Sequence, residues 1–371
     1  MNIAIVASTG GSRRQQILAT ARELGREHRV TIYSRRESTE GKSRTKPAPG
    51  VVLEQLDIGP ARALAADEVA PYLAQVGDEL AKRWSHEPPD LIHAHNWTGG
   101  LAAVAGADGL RVPVTQTFGP VKQPAHLRLE RALGRRADAV IAGCLDEEAS
   151  LIRLGVPREH IAVVPYGVDT DKFRRQGPAA ARGTHQRLLH VGRIGAGAGA
   201  QTIVRALAGL PDVELVIVGG PSPEELERDP DARRLRALAE RLGVAERVTI
   251  LGHVPRTTVP KLMRGADVVV TLPAEPGTGA VALEAMACGV PVIASAVGAH
   301  LDSVVDGVTG LLVPPDKPAR TARLARELLA DPTRRTAIGY AGADRARSRY
   351  SWERIGQELL RVYSDTLAAA S

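Results

Sequence analysis

The stretch from Ala266 to Gly298, ADVVVTLPAEPGTGAVALEAMACGVPVIASAVG, constrains this chain more than any other. Val268-Val269-Val270 is an apolar run, the pattern of a parallel strand buried on both faces. A turn rich in glycine and proline follows, from Pro273 to Gly279. Ala280 to Cys288 then reads as a short helix, and Gly289 and Pro291 end it. Val292-Ile293-Ala294 reads as the next buried strand. The loop therefore sits at the carboxyl end of a parallel strand, with backbone N–H groups pointing out of a helix N-terminus. Such a place holds phosphate or another anion. Glu284 lies one turn into the helix, where it could take a pair of hydroxyls. An ordinary βαβ unit, with glycines for turn geometry and Glu284 on a solvated face, fits the same letters.

Similar units run along the whole chain. Asn2 to Ala7 reads as a strand, followed by a loop containing Gly10 and Gly11, an amphipathic helix from about Arg13 to Gly25, and a strand at Val30 to Tyr33. A bare Gly-Gly is explained about as well by a tight turn as by phosphate binding. Residues 35–50 are polar, contain proline and show no periodicity, so they read as a surface loop. Val51–Ile58, Leu91–His95, Val112–Thr117 and Ala139–Ala142 read as further strands with helices between them, an alternation that predicts a doubly wound sheet. Residues 174–186 are polar and small and read as a linker. A second α/β series begins at Arg187, with strands Leu188–Val191, Glu214–Val218, Val248–Leu251, Val268–Thr271 and Val292–Ala294. A final helix, about Trp352 to Ala368, follows. The chain of 371 residues thus divides into 1–173 plus 352–371, a linker, and 187–351.

Composition narrows the partners. The net charge of +6 would suit an anionic ligand or a nucleic acid, but the arginines lie beside glutamates on helices, as in Glu224 to Arg241. No basic stripe interleaves with aromatics, so no nucleic acid is expected. Cys144 and Cys288 give neither a disulfide framework nor metal spacing. His93 and His95 share a strand face and could supply two metal ligands, but no third is evident and no metal is expected. The opening MNIAIVAS enters a strand directly, without a basic region or a long apolar run. The expectation is a cytoplasmic enzyme with no stable membrane insertion. An NAD-binding enzyme is disfavoured, because the opening loop lacks Gly-x-Gly-x-x-Gly.

Several stretches carry a more specific signal. LEAMACGVPVIAS, ending the first motif, resembles the donor-site signature of the retaining nucleotide-sugar glycosyltransferases of family 4. LIHAHNWTGGLAA (91–103) resembles that family's His-x-His strand end, and HVGRIG (190–195) its Val-Gly-Arg strand end. ILGHV (250–254) resembles its base-binding strand, and 139–173 its interdomain segment. The resemblance implies the GT-B fold: two Rossmann-like domains facing each other across a cleft, with the C-terminal helix crossing back to the first. It also implies sugar transfer, with retention, from a nucleoside-diphosphate sugar of UDP or GDP type to a small polar acceptor such as a cyclitol, an inositol phosphate, an antibiotic precursor or a sulfur nucleophile. No cofactor is then required, and a homodimer is compatible.

Residue by residue, the resemblance puts Arg193 and Glu275 at the reacting centre, Arg193 as a bidentate clamp on the diphosphate. Glu284 would accept from the two ribose hydroxyls. Gly252, His253 and Val254 would present backbone to the base. The N–H groups of Thr278, Gly279, Ala280 and Val281 would face the donor sugar and diphosphate, and Gly10 and Gly11 would let the first loop approach the phosphates. His95, Gly119 and Lys122 fall on the acceptor side. Three positions depart from the family. Ala198 stands where the diphosphate Lys is usual, Pro276 where the first Glu of the signature belongs, and Gly119 where a His is frequent. Glu275 is displaced by one, and Lys122 or Arg13 are candidates to replace the missing cation. The departures leave two readings open: an active enzyme with an unusual substrate or compensating cation, or a catalytically impaired nucleotide-binding protein with a structural or regulatory role.

Overall fold

The computed structural model describes residues 1–7, 14–119 and 126–370. It comprises two compact α/β units, Met1–Pro165 with Trp352–Ser371, and Tyr166–Ser351.

Among the described residues, the first unit has eight strands: β1 (Asn2–Val6), β2 (Arg29–Arg35), β3 (Arg44–Ala48), β4 (Val51–Leu56), β5 (Leu91–His95), β6 (Val114–Thr117), β7 (Ala139–Ala142) and β8 (Ile161–Val163). Their order is β3-β4-β2-β1-β5-β6-β7-β8, and all neighbours are parallel except β3 and β4. The run in β1 is apolar at every core position because the strand is covered on both faces. Ala4 and Val6 enter one hydrophobic cluster and Ile3 and Ile5 the other. The helix Trp352–Ala370 supplies Ile355, Leu359 and Tyr363 to the second of these clusters, so the C-terminal helix belongs to the first unit.

The second unit holds six parallel strands: β9 (Gln186–Val191), β10 (Val213–Val218), β11 (Val248–Gly252), β12 (Val268–Thr271), β13 (Val292–Ser295) and β14 (Leu311–Val313). Their order is β11-β10-β9-β12-β13-β14. Period-2 burial recurs here, with Val268 and Val270 in one cluster and Val269 in the other.

Two sequence expectations are corrected by the structure. Residues 35–50 are not all loop, since β3 pairs antiparallel with β4 through Arg44–Glu54 and Thr45–Leu53. As an edge strand it is polar and tolerates Pro47, which hides it from hydrophobic periodicity. The passage between units also comes earlier than the linker assigned to 174–186. Val168 and Phe173 are buried in the second unit's core. Residues 174–186 lie along the same unit: Ala180 N–H donates to the Lys261 carbonyl, and Arg264 donates to the carbonyls of Pro178 and Arg174.

Candidate active site

In the second unit the strand order reverses between β9 and β12. Such a reversal opens a crevice at the carboxyl ends of the strands. The loops that leave there are bound to one another. Gly197 accepts from Ala274 N–H at 2.8 Å, and Ser295 Oγ donates to the Pro273 carbonyl at 2.7 Å. Gly199 has φ +91°, and a Cβ on it would lie 2.2 Å from the Leu272 carbonyl oxygen, so only glycine allows this approach. The loops bearing Arg193, Ala198, Glu275, Pro276, Thr278 and Gly279 therefore adjoin.

Arg193 is exposed after β9, with its carbonyl 3.3 Å from His190 Nε2. Ala198 is buried in a turn in which its N–H donates to the Gly195 carbonyl. Glu275 is exposed, and Pro276 packs beside Gly298. Gly279 caps the helix Ala280–Ala287 with φ +68°. Early N–H groups of a helix lack intrahelical acceptors, and here these belong to the Ala280 end. Some backbone assigned to the base is committed elsewhere: Gly252 accepts from Gly219 N–H, and His253 N–H donates to the Pro221 carbonyl at 2.7 Å.

Glu284 is not on a solvated face. The helix is buried from Ala282 to Ala287, and Glu284 is only 5% exposed. Its Oε1 is paired with the Arg256 guanidinium, while Oε2 is buried with no partner among the described residues. A buried carboxylate needs such pairing, and an unpartnered oxygen beside it marks a place for an external donor. Arg256 follows β11 and lies over the Phe173 ring, 5.1 Å from its centroid, with Lys172 over the same ring at 5.8 Å. Burial pulls both cations below their ordinary pKa. Neither was singled out from sequence. Arg256 is 28 residues from Glu284, and no spacing rule connects them. Cys288, at the end of the same helix, is buried, its thiol pushed up to about 12, and is inert as a nucleophile.

In the first unit, a pocket of about 340 Å³ lies at the carboxyl ends of β1 and β2 and the start of the helix Asn96–Gly106. Its wall includes Gly119, Asn96 and Trp97. Asn96 has φ +60°, a left-handed conformation that a non-glycine residue seldom holds without reason. His95 stacks on His93 with centroids 4.2 Å apart. His93 is buried, with Nδ1 2.6 Å from Tyr363 Oη and Nε2 2.7 Å from Thr117 Oγ1. Burial, aided by His95, holds its pKa well below the ordinary range. His93 is thus a neutral core histidine that ties β5 to the C-terminal helix. Gly10, Gly11, Arg13 and Lys122 lie outside the described residues. Among the described residues, no group of three or more His, Cys, Asp or Glu side chains is placed to hold a metal ion. None of their helices is long and apolar enough to cross a membrane.

Two family models match the chain, one per unit. Residues 10–167 match "Glycosyl transferase 4-like domain" and residues 171–345 match "Glycosyl transferases group 1". The chain is 32% identical to a D-inositol 3-phosphate glycosyltransferase of Nocardia farcinica, over 96% of this chain and 85% of that protein. It is 33% identical to the corresponding protein of Mycolicibacterium gilvum, again over 96% and 85%. Among solved structures it is similar to sucrose-phosphate synthase from Thermosynechococcus elongatus, with a TM-score of 0.88, 25% identity and 100% of both chains covered. The fold is that of the GT-B enzymes. The chain belongs to the glycosyltransferase family that joins a glycosyl transferase 4-like domain to a group 1 domain, and it is a glycosyltransferase.

Proposed function

We propose that the chain moves a sugar from a nucleoside-diphosphate donor of UDP or GDP type to a small polar acceptor, with retention. The observation that carries this is Glu284, a buried carboxylate with Oε1 on Arg256 and Oε2 unpartnered. A ribose diol supplies the hydroxyl donors that such an oxygen lacks, and the charge makes those bonds strong. The adjoining loops suit the rest of the donor. The N-terminus of the helix Ala280–Ala287 favours the negative diphosphate, and exposed Arg193 supplies a planar cation to it. As the bond from sugar to phosphate breaks, negative charge grows on the leaving diphosphate. Groups aimed at it then act more on the transition state than on the bound donor. In a retaining transfer of this kind the leaving phosphate itself takes the acceptor's proton, so no side-chain base is required.

Ala198 favours a second reading. A methyl group stands in the buried turn at the position where the family resemblance implies a phosphate-binding lysine. A protein that binds nucleotide but turns over poorly would follow. One experiment separates the two: nucleoside diphosphate release from a panel of UDP- and GDP-sugars, with and without acceptors. Turnover stimulated by an acceptor supports the enzyme. Tight nucleotide binding without release under any pairing supports the second reading, and no nucleotide affinity at all refutes both.

A further inference from the structure

Beside the helix N-terminus assigned to the donor stands a second polar group, one that no sequence motif marked. His300 lies in the helix Ala299–Ser303, just after β13, and is only 4% exposed. Its Nδ1–H donates to the Ser295 carbonyl at 2.9 Å. A carbonyl only accepts, so this bond fixes the tautomer and leaves Nε2 as a bare acceptor. Nε2 has no hydrogen-bond partner among the described residues. The edge of the ring that carries it faces the donor loop: a Cβ on Gly279 would lie 3.4 Å from Cδ2, the carbon bonded to Nε2. Ser295 holds ring and loop in one frame, since its Oγ donates to the Pro273 carbonyl while its own carbonyl accepts from His300. Burial pulls the ring's pKa below its ordinary value, against the Ser295 bond, and no charged side chain among the described residues adds to either effect, so the ring is neutral.

Two kinds of group then meet at one place. The N–H groups at the Ala280 end, which have no intrahelical acceptor, donate, and Nε2 accepts. Phosphate oxygens are themselves acceptors, so they suit the N–H groups and not a neutral imidazole nitrogen. A sugar hydroxyl has the proton that Nε2 lacks, and a buried polar atom without a partner calls for one. The same place has lost an acceptor. The family resemblance puts the first Glu of the signature at the reacting centre, and this chain has Pro276 in that position, with the displaced Glu275 exposed. Pro276 borders the helix of His300: a Cβ on Gly298, the cap of that helix, would lie 2.8 Å from Pro276 Cβ. We infer that His300 Nε2 accepts a hydrogen bond from a hydroxyl of the donor's sugar, a sugar-recognising role taken over from the position that Pro276 now holds. The inference rests on the reading of this site as one for a nucleoside-diphosphate sugar.

The test is calorimetry on the full chain with UDP, GDP and a panel of UDP- and GDP-hexoses, for the wild type, His300→Asn and His300→Gln. Asparagine keeps an N–H near the level of Nδ1 and removes Nε2, whereas glutamine carries an amide oxygen out to the level of Nε2. The quantity read is the affinity of the tightest sugar nucleotide divided by that of its own diphosphate. In His300→Asn this ratio should fall about fivefold, or about 1 kcal/mol, with the diphosphate itself held within about twofold. His300→Gln should restore most of the ratio. A second readout needs no variant: in the wild type the nitrogen NMR resonance of Nε2 should move to the hydrogen-bonded range with the sugar nucleotide and stay in place with the diphosphate alone. An unchanged ratio in His300→Asn overturns the inference. So does an equal loss for diphosphate and sugar nucleotide, which would make His300 a prop of the loop, or an Nε2 resonance that the sugar does not move. A wild type that binds neither UDP nor GDP refutes the donor reading and the inference with it. One that binds a diphosphate but shows no sugar-dependent effect of His300 refutes the inference alone.

Discussion

At the scale of single residues, the decisive feature is a carboxylate held half-satisfied. Glu284→Ala removes the charge-assisted acceptor proposed for ribose and should weaken nucleoside diphosphate binding by about 1.5–3 kcal/mol. The helix loses nothing in propensity, since alanine is its best former. Unchanged affinity by calorimetry would show that Oε2 serves no ligand. Arg256→Ala asks a different question, because it leaves the buried Glu284 charge without its partner. Breaking a fully buried pair costs about 3–5 kcal/mol, but the Arg256 side chain is 34% exposed, so about 1–3 kcal/mol of stability is the expected loss. A melting temperature equal to wild type would show that water replaces the guanidinium at no cost. Arg193 is expected to behave unlike either. It is exposed, so Arg193→Ala should leave stability alone, lower turnover much more than donor affinity, and be only partly repaired by Arg193→Lys, whose ammonium cannot bind bidentately. Near-normal turnover would assign the diphosphate to another cation. Glu284 was legible because it sits in a dense motif. Arg256 was not, because its meaning comes from what folding packs around it.

At the scale of elements, the parallel strands were legible for a physical reason. A strand covered on both faces has to be apolar throughout, and Val268 to Val270 or Ile3 to Val6 can be little else. The edge strand β3 has one open side and half-polar burial, so its sequence RTKPA reads as loop. The histidines of β5 show the same limit. Both were visible, but the structure makes His93 a core tie to Tyr363, and no local pattern announces a partner 270 residues away. That tie makes stability depend on pH. Burial keeps His93 neutral in the fold, with a pKa well below its unfolded value of about 6.5. A group depressed in this way binds its proton more readily in the unfolded chain. Its contribution is therefore complete above about pH 6.5 and is lost as pH falls below that value. His190 and His300, also buried and lowered, add to the same slope from the second unit. The three tryptophans, Trp84, Trp97 and Trp352, all lie in the first unit, so their fluorescence isolates it. Melts followed by tryptophan emission should shift down between pH 7.5 and pH 5, and His93→Asn should flatten that shift. A slope unchanged in the variant would remove His93 from the account.

At the scale of the whole molecule, the chain leaves its first unit at Pro165 and returns to it at Trp352, so its last 20 residues complete a structure that its first 165 begin. Truncation after Ser351 tests what that return contributes. It removes Ile355, Leu359 and Tyr363 from the cluster formed with Ile3, Ile5, Ile17 and Leu24, and it takes the hydroxyl from His93 Nδ1. Each buried side chain of this kind contributes about 1.5–3 kcal/mol, so the three together approach the 5–15 kcal/mol that typically separates a folded domain from its unfolded chain. The first unit should therefore lose its cooperative transition in the emission of Trp84 and Trp97. The second unit keeps its own sheet, its two apolar clusters, and the Glu284–Arg256 pair, none of which uses a residue beyond Ser351. Nucleoside diphosphate affinity should accordingly survive within about threefold, or about 0.7 kcal/mol. The opposite outcome is equally plain to read. If affinity disappears while the tryptophan transition persists, then the donor site depends on the returning helix and Glu284 does not mark its centre.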